Sequence, residues 1–231
     1  MTTIAQAAPH AVARPRWTRS DFQIGLLFVA SVVTSIAVLA VSLLFPAAGD
    51  NGWFTYESVQ AIGPAIWSFL TLTGANLVLT VVPATIVSVL LVPARGWPFA
   101  TAGAVLAVIG VAFYAVAAGG WAMVYYFGAA SPALDAATAT AFIDSVNADS
   151  FRLFAPAYGG ALLIAAATSL ISVGLWRART VPRWLPVLGV VGAILPLVLP
   201  TDGVRGVFVE APQAAATALA GWFLWRRPSI N

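Results

Sequence analysis

The chain has 231 residues, of which 61% are apolar or aromatic and only 8% are charged. In soluble domains about a quarter of all residues are charged, so this composition excludes a water-soluble fold. The few charges sum to +3, from 11 arginines without a lysine against 8 acids, which does not suit a nucleic-acid-binding protein.

Apolar runs of about 20 residues, the length that crosses a bilayer as a helix, occur six times in the chain. They predict transmembrane helices at about 22–45, 64–92, 99–127, 154–176, 184–199 and 203–225. The preceding residues 1–20, rich in Ala, Pro and Arg, predict a disordered basic tail, and residues 228–231 form a short C-terminal tail. The sequence therefore predicts an all-α fold, a polytopic membrane bundle of six transmembrane helices within residues 21–227.

Residues 128–153 form the longest predicted loop. Ser131 and Pro132 are a good N-cap and first-turn pair for a short amphipathic helix, which would either lie on the membrane surface or cover a cavity in the bundle. Its predicted apolar face consists of Leu134, Ala141, Phe142 and Val146.

Arginines near the ends of spans predict the orientation, because cytoplasmic loops carry an excess of positive charge. An even number of spans puts nine arginines on the side of both termini, and only Arg152 and Arg205 on the other. The nine are Arg14, Arg16, Arg19, Arg95, Arg177, Arg179, Arg183, Arg226 and Arg227. We therefore expect a multi-pass protein of the bacterial cytoplasmic membrane with both termini in the cytoplasm.

Aromatic side chains cluster near the predicted span ends, as amphipathic rings do at the headgroup level. At the outer boundary, Trp121 and Tyr125 are interpreted as anchors of this kind. Small residues at Gly103, Gly110 and Gly160 predict close contacts between helices of one bundle.

The candidate site rests on the one ionisable side chain inside a predicted span, Glu210, which is a functional hypothesis by default because burying charge in a bilayer is costly. Glu210, Gln213 and Thr217 share one face of the sixth span, since offsets of three and seven residues return to nearly the same direction. The second span repeats this spacing in Thr73, Asn76 and Thr80. We expect these two polar stripes to meet inside the bundle, with Glu210 either protonated or hydrogen-bonded to Asn76. The alternative is that Glu210 reaches surface water or Arg205 and that the other polar groups only hold helices together.

Motifs of known catalytic or cofactor chemistry are absent from the sequence. There is no cysteine, a single histidine at His10, no HExxH, no Gly-rich phosphate loop and no serine elbow. We predict no cofactor, no metal site and no nucleic-acid partner, and an enzyme is the less favoured class.

The stretch 175–193 resembles the loop and following helix of the DUF4386 family, bacterial six-span membrane proteins of unknown function. The resemblance is strongest at Pro182, Arg183, Trp184 and Leu185, with Gly189 and Gly192. Residues 211–213, near the last helix, are a second and weaker match to the family. The resemblance implies a six-span architecture and assigns no catalytic residue.

Three functional classes follow from these observations. Composition favours a non-enzymatic structural or accessory component, whose partners are the lipid bilayer and a second protein or copy of the chain. The second class is a small-solute or proton-coupled transporter or channel that uses Glu210. The third is an intramembrane enzyme with Glu210 as general acid and Asp202 as the second carboxyl. A continuous polar cavity containing both stripes would favour transport, and a closed pocket with two carboxylates would favour chemistry.

Overall fold

The computed structural model describes residues 19–44, 54–62, 65–93, 95–130, 133–199, 201 and 203–226. In these ranges the chain is helical and contains no strand, which confirms the all-α class. The helices are α1 (Arg19–Leu44), α2 (Tyr56–Ile62), α3 (Ala65–Leu91), α4 (Trp97–Ala130), α5 (Ala136–Ala148), α6 (Ser150–Ala178), α7 (Trp184–Val198) and α8 (Gly203–Trp225). Of the predicted tails, residues 1–18 and 228–231 lie outside the described residues, whereas Arg19 and Ser20 belong to α1, so the predicted boundary of the first tail at residue 20 is wrong.

The long helices α1, α3, α4, α6, α7 and α8 coincide with the six predicted apolar runs. Three contain stretches long and apolar enough to cross a membrane, namely Leu70–Leu90, Trp97–Ala129 and Phe154–Ala178. The apolar part of α7, Trp184–Val198, is shorter, and so is the apolar stretch Phe22–Ala37 of α1. These helices indicate a membrane protein.

The six long helices are arranged as a ring in chain order. α1 packs against α3, α3 against α4, α4 against α6, α6 against α7, α7 against α8, and α8 returns to α1. Successive long helices run in opposite directions, as the contacts of Gly103 with Ala167 and of Gly110 with Gly160 show for α4 and α6. The ring therefore has two ends: a cap end, where α2 and α5 lie, and an arginine end, where the turns α3–α4 and α6–α7 lie.

A close helix contact in the ring joins α4 and α6 through glycines. A Cβ atom built on Gly160 would lie 2.6 Å from the carbonyl oxygen of Gly110, and one on Gly103 would lie 2.7 Å from that of Ala167. Such distances are shorter than real Cβ contacts, so only glycine permits this approach. Close backbone packing replaces the hydrophobic driving force that helices lack in lipid.

The arginine end collects most of the described arginines, as the sequence partition predicts. Three of their guanidinium groups lie over aromatic rings, among them Arg226 over Trp222 at 3.9 Å and Arg177 over Phe99 at 5.1 Å. Beneath them is a group of buried apolar side chains, called the arginine-end cluster: Val87, Val92, Ala100, Leu175, Val181, Leu185 and Ala216.

The helices α5 and α2 cover the cap end of the ring. The sequence analysis did not predict the short helix α2. The helix predicted in the long loop exists as α5, but its predicted start at Ser131 is wrong, because the N-cap is Asp135. The carboxylate of Asp135 accepts a hydrogen bond of 2.8 Å from the backbone N–H of Thr138. The predicted apolar face is also wrong, because the buried residues of α5 are Ala139 and Ile143.

A buried apolar group, the cap cluster, holds α2 and α5 against the ring; it comprises Phe54, Val59, Leu70, Ala122, Tyr125, Ala129 and Ile143. The interpretation of Tyr125 as a boundary anchor is wrong, because its side chain is 0% exposed. Its hydroxyl donates a 2.9 Å hydrogen bond to Oδ1 of Asn147, and Nδ2 of Asn147 donates one of 2.9 Å to the carbonyl oxygen of Phe54. This chain of hydrogen bonds ties α4, α5 and the start of α2 together.

Candidate functional site

A cavity of about 230 Å³ lies inside the ring, lined by side chains from all six long helices. On α3 its lining runs from Leu70 to Ser88, which are 18 residues apart and therefore about 27 Å at 1.5 Å per residue. That length is close to the roughly 30 Å thickness of a bilayer hydrocarbon core. The volume leaves room for several water molecules, each of which occupies about 30 Å³ in the liquid.

Both predicted polar stripes line this single cavity. The stripe on α3 contributes Thr73, Asn76 and Thr80, and the stripe on α8 contributes Glu210, Gln213 and Thr217. The helical spacing explains this, because side chains three, four and seven positions apart face the same direction. Asp202, the predicted second carboxyl, lies outside the described residues.

Glu210 is a half-buried carboxyl on the cavity wall. No hydrogen bond or ion pair to its side chain occurs among the described residues, so neither Asn76 nor Arg205 is its partner in this structure. The side chain of Arg205 is exposed at the cap end of α8. The electrostatic neighbour found for Glu210 is the phenol of Tyr114 on α4, which also lines the cavity.

Hydroxyl groups along the cavity donate their protons to their own helices. Thr80 Oγ1 donates to the carbonyl oxygen of Asn76 at 2.8 Å, and Thr217 Oγ1 donates to that of Gln213 at 2.9 Å. Thr85, Ser88 and Thr168 bond a carbonyl oxygen three or four residues earlier in the same way. A hydroxyl has one proton and two lone pairs, so each of these groups can offer the cavity only acceptor lone pairs.

Several residues of the cavity wall were missed by the sequence analysis. Tyr114, Ala118 and Trp121 line it from α4, with spacings of four and three residues that place them on one helical face. The interpretation of Trp121 as a boundary anchor is wrong, because its ring packs at 4.4 Å on Phe154 and lines the cavity. The signal that could have found this face is the continuation of the same spacing to Ala107.

Buried apolar clusters lie at the two ends of the cavity. Leu70, which is 1% exposed, belongs to both the cavity wall and the cap cluster, and Trp121 packs against that cluster. Leu175 and Leu185 belong to both the wall and the arginine-end cluster. Buried apolar side chains therefore border both ends of the cavity, and polar side chains line it over most of its length.

Comparisons with protein-family models, curated proteins and solved structures found no match to this chain. Among the described residues there is also no group of three or more His, Asp or Glu side chains placed to hold a metal ion. The case for a function therefore rests on the cavity alone.

Proposed function

We propose that the protein is a small-solute transporter of the bacterial cytoplasmic membrane, with six transmembrane helices and the central cavity as its solute site. The observation that carries this proposal is the meeting of both polar stripes in one cavity that extends along most of α3. An unpaired ionisable side chain at membrane depth is expensive, and function is the usual reason to retain one. Glu210 is then the principal solute or proton contact.

The position of the cavity supports transport more than the accessory role that composition favours. Packing alone needs small residues at helix contacts, which α4 and α6 supply at Gly110 and Gly160. It does not need a polar lining with a carboxyl group. Apolar clusters at both ends of a cavity that polar side chains line over most of its length suit alternating access to a site near the middle of the membrane.

The enzyme hypothesis receives no comparable support. It requires a second carboxyl group beside Glu210, and in the described part of the cavity wall Glu210 is the only acidic residue. We therefore rank transport first, the accessory role second and intramembrane catalysis third.

Transport is tested by reconstituting the purified protein in liposomes and measuring flux of small amines, neutral polyols and carboxylates, with and without a pH gradient. We expect flux of at least one class, and its loss in Glu210→Gln. The matched control is Glu57→Gln, which removes an exposed acid on α2 far from the cavity. Equal flux through Glu210→Gln and the unaltered protein would refute the role of Glu210, and no flux of any class would refute transport.

The proposed topology places the cap end outside the cell and the arginine end in the cytoplasm. Because the chain has no cysteine, single cysteines can report the side directly. We expect an impermeant thiol reagent on intact cells to label Ala137→Cys, at an exposed position of α5, and to spare Arg226→Cys until the membrane is opened. The reverse pattern would refute this orientation. We also propose that the chain belongs to the DUF4386 family, whose six-span architecture agrees with this topology.

A further inference from the structure

We infer that the cavity takes a small organic cation whose charged group carries N–H donors, such as a primary ammonium or a guanidinium, attached to a short apolar body. This inference rests on the proposed function in so far as it treats the cavity as the solute site. It adds the chemical class of the solute.

The charges of the cavity wall are one-sided. Its described residues include one carboxyl group, that of Glu210, and no arginine. The described arginines lie at the two ends of the ring, where several cover aromatic rings. A cationic solute would therefore meet one opposite charge, that of Glu210, and no like charge. An anionic solute would meet one like charge and no opposite charge.

Several hydroxyl groups of the wall offer acceptors only, beside the amide groups of Asn76 and Gln213, which can both donate and accept. Five hydroxyls have given their protons to helix carbonyls and present only lone pairs: Thr80, Thr85, Ser88, Thr168 and Thr217. The carboxylate of Glu210 adds two more acceptor oxygens when it is ionised. Since a primary ammonium supplies three donors and no acceptor, it complements these hydroxyls and the carboxylate of Glu210 better than an alcohol or a carboxylate does.

Aromatic and aliphatic side chains supply the surface for the apolar body of the solute. Trp121 and Tyr114 lie on one face of α4, and Phe28 faces the same cavity from α1. Aromatic faces attract cations, and Leu70, Leu77 and Val81 give the wall an apolar section. This surface and the cavity length favour an organic cation over a bare metal ion, which would leave most of the cavity unused.

The test is equilibrium binding to the whole protein in lipid nanodiscs at constant ionic strength. The probes share a phenyl body and differ in the polar group: phenethylammonium, 2-phenylethanol and phenyltrimethylammonium, with sodium alone as the bare ion. We expect phenethylammonium to bind at least about 10-fold more tightly than the other three, because hydrogen bonds to a charged partner differ from neutral ones by about that factor. Binding of 2-phenylethanol or of sodium as tight as that of phenethylammonium would overturn the inference, and equal binding of phenyltrimethylammonium would overturn the need for N–H donors.

Variants locate the binding within the cavity. Glu210→Gln should weaken phenethylammonium binding by about 10- to 100-fold, and Thr168→Val, which removes one acceptor, by a few-fold. Glu57→Gln should bind as the unaltered protein does. If Glu210→Gln does not fold, the probe comparison on the unaltered protein and the Thr168→Val variant still decide the outcome.

Flux measurements separate this inference from the proposed function. Phenethylammonium binding that depends on Glu210, without flux into liposomes, would refute transport and support the solute class. Flux of polyols with no amine binding would refute the solute class and support transport.

Discussion

The hydrogen-bonded cap predicts a measurable cost for removing one hydroxyl. Tyr125→Phe deletes the donor to Oδ1 of Asn147 and leaves that oxygen inside the cap without its partner. A lost hydrogen bond of this kind, with a partly buried acceptor left unsatisfied, costs about 1–2 kcal/mol. Asn147→Ala breaks two bonds, to Tyr125 and to the carbonyl oxygen of Phe54, so we expect a larger cost, about twice as great.

The assay is reversible unfolding in mixed micelles, followed by circular dichroism, with Tyr126→Phe as the matched control. Tyr126 is the next residue on α4, and its hydroxyl makes no hydrogen bond among the described residues. The double variant Tyr125→Phe with Asn147→Ala should cost less than the sum of the single variants, because both remove the same bond. The reasoning is refuted if Tyr125→Phe and Tyr126→Phe differ in unfolding free energy by less than about 0.5 kcal/mol, the usual scatter for independent sites.

Three further predictions concern helix contacts and the cap. Gly160→Ala should weaken the α4–α6 contact and lower thermal stability, because its Cβ would lie 2.6 Å from a carbonyl oxygen of α4, whereas Gly159→Ala, with open space around it, should not. Gly192→Ala should push α8 away from α7 at the backbone of Gln213. It should therefore weaken phenethylammonium binding in the cavity relative to the unaltered protein. A hydrogen bond from the backbone N–H of Thr138 lowers the pKa of Asp135 below its ordinary value of 3.8. The stabilisation of α5 by this cap is therefore complete above pH 3.8 and is lost as the pH falls through the lowered pKa of Asp135. Amide exchange in the first turn of α5 should therefore accelerate in acid, and Asp135→Asn, which caps without titrating, should abolish this acid dependence.

The long helices were predictable because their signal is strong and local. Apolar runs of bilayer length end at arginines and prolines, and the helix limits differ from the predicted spans by a few residues. The short α2 carries no such signal. It begins with reciprocal hydrogen bonds between Thr55 and Ser58, and the burial of Val59 in the cap cluster stabilises it. Seven residues held by tertiary packing leave no period to detect.

The candidate site was predictable only where polar residues repeat along one helix. The spacing from Glu210 to Thr217 and from Thr73 to Thr80 identified two faces, and the structure places both on the cavity. The contribution of α4 was missed because a tryptophan near the end of a span is typical of an interface anchor. The role of Trp121 depends on which helices surround it. The predicted hydrogen bond between Glu210 and Asn76 is not formed, and the sequence could not show this, because hydrogen bonding depends on side-chain distances between helices that are far apart in sequence.

The order of the helices around the ring has a consequence for biosynthesis. Each long helix neighbours the one made just before it, so pairs can associate as they leave the ribosome, but the seam between α1 and α8 can close only after α8 has been made. Until then the polar stripe of α3 has no opposite wall and must be shielded by lipid headgroups, water or the insertion machinery. The addition of α8 thus brings in the carboxyl group of Glu210 and closes the ring in one step, and a chain truncated before α8 would leave the polar groove of α3 open.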